Sequence, residues 1–394
     1  MKRMLFSIIS LVSILLGNQS IWMPAAASQS QTHSSPVVLC LPGIYLTNPL
    51  DCIPAGPSSY LTQMARKGLT FPLLPLAVGP IDPALSQVDV RYAEVQTQGA
   101  PIYGSLDEAS KNNRKSAAQK LNGEFVFVSY TDETQINNRK LYQVGPNQWM
   151  VGADLSRLGV LPASRGVTFS RAPLHAFGWV LTYWVSEPLQ TKRTPGNQTA
   201  DYTGRILNLY DIVPVYGEEK VGEEIWYMIS PEEWVPQKYI ARVTPNTTPP
   251  AGVTGDRWIE VNLFEQTLAV YERRQLVFAT IIASGADPFW TQPGVFQIQT
   301  KLEKTPMRGA SESGGLAYYL EDVPWTMYYD GPRALHGAYW RAKMGFVQSH
   351  GCINLTVGDA HWLFNWAVAG DWVYVWDPSG QTPTDPKLYG SIGF

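Results

Sequence analysis

Cysteine is scarce in this chain: three in 394 residues, enough for one internal bridge with one thiol left over. Charge is scarce too, at 16% Asp, Glu, Lys and Arg with a net of −3, which argues against nucleic acid as a main partner. Beyond the N-terminus no apolar run approaches the roughly 20 residues that a membrane-spanning helix needs. What is abundant is aromatic and turn chemistry: 14 Trp, 20 Tyr and 13 Phe beside 33 Gly and 30 Pro. That mixture reads as β-rich modules joined by many turns. Hydrophobic residues make up 45% of the chain, ample for packed cores, and the length suits two to four domains.

The start of the chain carries an address. Lys2-Arg3, an apolar run from Leu5 to Leu16 and Ala25-Ala26-Ala27 before Ser28 have the layout of a secretory signal peptide over residues 1–27. An uncleaved anchor is the alternative. Cys40 and Cys52 then lie close together in a Pro/Gly-rich leader, residues 28–88, where an exported chain can bridge them or leave two free thiols. Within the leader, residues 57–68 read as one short helix ending at Gly68. The prolines of residues 71–80 favour extended chain. Cys352 is the odd thiol.

It sits in the stretch LHGAYWRAKMGFVQSHGCIN, residues 335–354, with two of the five histidines. Twelve residues separate His336 from Ser349, and Ser349, His350, Gly351 and Cys352 are consecutive. A thiol is a nucleophile as thiolate, and a nearby imidazole lowers its pKa from about 8.5 to roughly 3.5–7.5. Gly337 and Gly351 permit close backbone approach. Backbone N–H groups of Gly351 and Cys352 aimed into a cleft would make an oxyanion hole, one donor of which is typically worth roughly 3–4 kcal/mol. A zinc site of His336, His350 and Cys352 lacks a fourth ligand at any familiar spacing.

This stretch resembles the signature of the L,D-transpeptidase (YkuD-type) catalytic domain, a His followed at a distance by [S/T]HGC, a hydrophobic residue and Arg or Asn. Upstream, WIEVNLFEQTLAVYERRQLVFATIIASG (258–285) is similar to that family's opening hairpin and TQPGVF (291–296) to its turn. The resemblance covers residues 257–376. It implies Cys352 as nucleophile, His336 as base, and a loop of Ser349, His350 and Gly351 that holds or supplies backbone donors. It also implies that Asn354 meets substrate or braces the loop, and that a backbone carbonyl orients the base. Trp325, Tyr329 and Trp340 are candidates for the cleft wall, as they are for core. Arg333, Arg341 and Lys343 are candidates for substrate carboxylates, as they are for solvated surface. His361 reads as structural; His33 and His175 have no constellation.

Ahead of that domain the chain repeats. LYQVGPNQWMVGADL (141–155) aligns with WYMISPEEWVPQKYI (226–240) at an offset of 85, and VFV (126–128) with VPV (213–215) at 87. The two units, residues 89–158 and 174–243, resemble bacterial SH3-like domains, some of which bind cell wall and others of which act as spacers. A linker (244–256), the catalytic domain (257–377) and a loosely held tail (378–394) complete the expected organisation. The fold expected is mainly β: two small SH3-like barrels, then an L,D-transpeptidase-type sandwich with one main helix. In the sandwich, Thr356-Val-Gly-Asp359 is a candidate capping box for that helix.

The resemblance implies action on peptidoglycan stem peptides in the bacterial cell envelope, by a monomer needing neither cofactor nor metal. The reaction implied is a 3→3 cross-link through a Cys thioester with release of D-Ala. A carboxypeptidase or endopeptidase with the same nucleophile and a non-catalytic wall-binding protein remain the alternatives.

Overall fold

The computed structural model describes residues 57–66, 69, 73, 75–196, 201–310 and 316–389. The signal peptide, the Cys40–Cys52 bridge and His33 lie outside the described residues. The chain divides into residues 1–62 and 63–394. The expected short helix forms as Pro57–Arg66. Everything below concerns the larger unit.

Two large sheets carry the fold. The first runs in the order Val78–Pro80, Val167–Phe169, Gln275–Ile281, Thr267–Glu272, Trp258–Asn262, Trp372–Trp376, Gly294–Gln297. The end of the leader is thus its edge strand. The second runs Ile353–Leu355, Arg333–Gly337, Leu316–Asp330, Phe125–Tyr130, Arg91–Val95, Leu155–Arg157, with Thr300–Ala310 also paired to Leu316–Asp330. Between them Ile259, Val261 and Val270 of one sheet meet Met327, Leu335 and Ile353 of the other in a shared apolar core, closed by Ala360 and Leu363 of the helix Val357–Trp366.

The Trp258–Asn262 strand alternates in sequence, yet both its faces are covered. Trp258 and Tyr271, stacked with ring centroids 4.5 Å apart, bury the second face against Phe177, Trp179 and Val243 of the second repeat. A sheet covered on both sides shows no polar-out stripe. Trp258 therefore reads as surface from its period and as core from its neighbours.

The repeat is real at the level of strand register. In the first unit Arg91 pairs with Tyr130, Ala93 with Arg157, Glu133 with Tyr142 and Gln143 with Trp149. In the second, Ala176 pairs with Val215, Gly178 with Arg242, Glu218 with Tyr227 and Met228 with Trp234. Every pair is displaced by 85. The offset of 87 read for VFV and VPV is corrected by this register, because Phe127 occupies the place of Ile212.

No closed barrel is found among the described residues. The Phe125–Tyr130 strand of the first unit pairs in parallel with Leu316–Asp330, so its sheet runs on into the second large sheet instead of closing on itself. The tail also differs from expectation up to residue 389. Pro386–Tyr389 is a 3₁₀ turn whose Tyr389 is buried, its carbonyl accepting from Arg333 Nη2 at 3.0 Å.

Candidate active site

The site grows from one parallel pair. Arg333–Gly337 and Ile353–Leu355 align His336 with Asn354 and place Cys352 just before the ladder begins. The loop before Cys352 is stitched to the end of the family-like hairpin. Ser284 O accepts from the N–H groups of Gln348 and Ser349, each at 2.9 Å, and Asn354 and Ala283 exchange two bonds at 3.0 Å. Thr291 Oγ1 receives the Gly285 N–H at 2.8 Å and donates to Gly351 O at 2.9 Å, which ties the TQPGVF turn to the loop. Gly285 is required here: a Cβ would lie 2.1 Å from Phe289 O. Gly351 holds φ at +110°, a region L side chains avoid.

Ser349 braces this loop. Its hydroxyl donates to Cys352 O at 2.6 Å and accepts from Gly351 N at 3.1 Å. The Gly351 N–H is thus spent inside the loop and is not a donor for the cleft, which corrects the first half of the expected oxyanion pair.

Cys352 is 9% exposed and is a free thiol. Its Sγ lies 3.9 Å from Pro332 O. Burial pushes the thiol up to about 11, while the Ala334 N–H and Arg333 pull the other way. His336 is 1% exposed. Burial lowers it from 6.5 to about 4, against the pull of Gly337 O and together with Arg341. Its Nδ1 lies 3.3 Å from Gly337 O. A carbonyl only accepts, so this contact sets the proton on Nδ1 and leaves the Nε2 lone pair as base. The backbone carbonyl that the His336 ring meets is that of Gly337.

Burial therefore favours the neutral form of both thiol and imidazole, opposite in direction to the lowering of the thiol that a nearby imidazole would give. Alkylation of Cys352 by iodoacetamide should stay slow at pH 7 and climb towards pH 11; a plateau at pH 8–9 would refute the neutral pair. Stability should move with the same groups. The unfolded chain binds a proton at His336 between pH 6.5 and about 4 that the folded chain refuses, so stability declines as pH falls across that window. Unfolded Cys352 loses its proton from about pH 9 while the folded thiol keeps it to about 11, so stability also declines as pH rises there.

A cleft of about 220 Å³ opens over these groups. His336, Trp340, Ser349, His350, Cys352 and Asn354 line it. Trp340 lies against the His336 ring at 5.7 Å. The exposed His350 ring sits between Phe289 (4.5 Å) and Tyr318 (5.2 Å), a wall position. Three expected residues do not line the cleft. Trp325 stacks on His361 at 3.7 Å beneath the helix, and Tyr329 is sealed in the core against Phe296. Gly337 is packed where a Cβ would meet Pro324 and Val357 at 3.1 and 3.2 Å. In a long strand flanked by core on one face and cleft on the other, type alone does not say which aromatic faces which.

The walls that sequence reading missed are Met307, Tyr318 and Leu320 of the long hairpin and Glu124 and Phe125 of the first repeat. Phe125 arrives through the parallel pairing of its strand with Tyr318–Leu320. A pairing across some 190 residues leaves no local mark. Of the three basic candidates, only Arg341 lines the cleft. Arg333 is paired with Asp330 at 2.9 Å. Lys343 is exposed, its Nζ 5.2 Å from the Tyr183 ring centroid.

The family of L,D-transpeptidase catalytic domains matches residues 256–375, and this part of the chain is a domain of that class. L,D-transpeptidase 1 of Mycobacterium tuberculosis is 30% identical over 166 residues, 37% of this chain and 63% of that protein's length. The chain thus spans somewhat under two thirds of the curated relative it matches. Among solved structures, Enterococcus faecium L,D-transpeptidase with a Cys-to-Ser substitution is 27% identical over 31% of this chain and 50% of its own, with a TM-score of 0.28. The E. faecium catalytic domain acylated by ertapenem is 29% identical over 32% and 100%, with a TM-score of 0.28.

Proposed function

We propose that the chain is a peptidoglycan L,D-transpeptidase that makes 3→3 cross-links through a thioester on Cys352. The observation that carries this reading is the gathering of His336, Cys352 and Asn354 on one cleft by a single parallel strand pair, inside a domain of the matching class.

His336 Nε2 takes the Cys352 proton as Sγ attacks the carbonyl of the third stem residue. Transfer accompanies attack, since burial disfavours both ions beforehand. The imidazolium returns its proton to the departing nitrogen, D-Ala leaves, and a thioester remains. The amine of a second stem attacks that thioester, loses its proton to His336, and the thiol is restored with one amide exchanged for another. No ATP enters the balance, as suits an extracytoplasmic reaction. A carbapenem such as ertapenem acylates the same thiol.

The test is incubation of the full chain with a disaccharide-tetrapeptide, followed by mass spectrometry of protein and products. Expected are a stem–enzyme adduct, free D-Ala and a cross-linked dimer one D-Ala short of two stems. D-Ala release without dimer would replace transfer by hydrolysis. An unchanged substrate, with the protein folded and retained by cell walls, would leave a binding protein.

A further inference from the structure

Among the described residues, no acid answers the positive charge of Arg341. Its guanidinium donates to Gln348 Oε1 from Nη1 and to Gln348 O from Nη2, each at 2.5 Å, both neutral acceptors. Nε is buried and has no hydrogen-bond partner. Among the described residues no carboxylate pairs with it. Burial alone pulls it down, to about 10, and its charge is felt at both His336 and His350. Among the described residues lining the same cleft, the one acid, Glu124, is exposed. A half-buried charge without a compensating partner is costly, and a planar fork of five donors suits a carboxylate.

We propose that Arg341 reads a substrate carboxylate, the free α-carboxylate of the residue that leaves. This deepens the transpeptidase reading and rests on it. In a stem cut at its last amide, that carboxylate stands three bonds beyond the attacked carbonyl, about 4–5 Å along the chain. An arginine lining the same cleft as the nucleophile and base can therefore hold it. The consequence is a specificity rule: the bond attacked is the last one before a free chain end. A second carboxylate, on the side chain of the third stem residue, has the same chemistry, and the test separates the two.

Steady-state kinetics of the full chain would compare three tetrapeptide donors: the free acid, its C-terminal carboxamide, and a donor amidated only on the third residue's side-chain carboxylate. In the wild type the C-terminal carboxamide should lose roughly ten- to hundredfold in kcat/KM, mainly through KM, while the side-chain amide should not. Arg341→Gln should lose the same factor on the free acid and cease to discriminate. Arg341→Lys should restore part of the discrimination, which a merely structural role would not produce. Discrimination intact in Arg341→Gln, or following the side-chain amide, overturns the assignment. Should the wild type turn over no stem, the transpeptidase reading fails, and calorimetric binding to Cys352→Ala with and without Arg341→Gln decides. Tighter binding of the acid than the carboxamide, lost with Arg341, upholds the site; equal or absent binding overturns it.

Discussion

Cys352→Ala is expected to abolish turnover while leaving the fold in place. Removing the nucleophile of a thioester mechanism removes the covalent path altogether, and losses of about 10³- to 10⁶-fold are usual when a nucleophile is deleted. The stability cost should stay near ~1 kcal/mol, because one sulfur is lost from a site that is only just buried. Intact mass after incubation with ertapenem gives the clean readout. Wild type gains one adduct and Cys352→Ala none, with matched melting curves. An adduct on the variant would place the reactive group elsewhere. The neutral resting pair adds a kinetic signature. Acylation should persist as pH drops through 6 and fail only near 4, where His336 takes its proton.

Asp359→Ala is expected to produce the largest loss of stability of any polar substitution near the site, about 3–4 kcal/mol by urea unfolding. Asp359 is fully buried. Its carboxylate accepts from Thr280 Oγ1 at 2.8 Å, Gly166 N at 2.8 Å and Arg165 N at 3.1 Å. Burial pushes this carboxyl above its ordinary range even so. Truncation leaves three donors unsatisfied at the junction of the helix, the first sheet and the segment between the repeats. Asp359→Asn keeps one acceptor but turns an amide NH₂ towards donors, so it should fall between. A loss under about 1 kcal/mol for the alanine variant would mean that water replaces the carboxylate.

Asp359 also shows how far the sequence could be read. Thr356-x-x-Asp359 marks a helix start, and Thr356 Oγ1 does accept from Asp359 N at 3.2 Å. The reciprocal half of the capping box is absent, because the carboxylate reaches Arg165 and Gly166, nearly 200 residues back. The same division runs through the site. Consecutive residues such as Ser349–Cys352, and the hairpin that stitches their loop, were legible because their geometry is local. Which of Tyr318 and Tyr329 faces the cleft was not, since aromatics on one long strand are sorted by what packs over each face. Phe125 was invisible as a cleft residue, because it enters through another module's strand.

That strand carries a further consequence. The pairing of residues 125–127 with residues 318–320 makes the first repeat part of the backbone ladder behind the cleft wall, and Trp258 with Tyr271 seals the first sheet under the second repeat. Cut free at residue 256, the catalytic segment would lose a wall, bare a row of strand amides at Tyr318–Leu320 and turn an indole–phenol stack out to solvent. The segment is not a portable cassette. Its repeats are masonry shared with the active site, and engineering that swaps or trims them re-shapes the cleft.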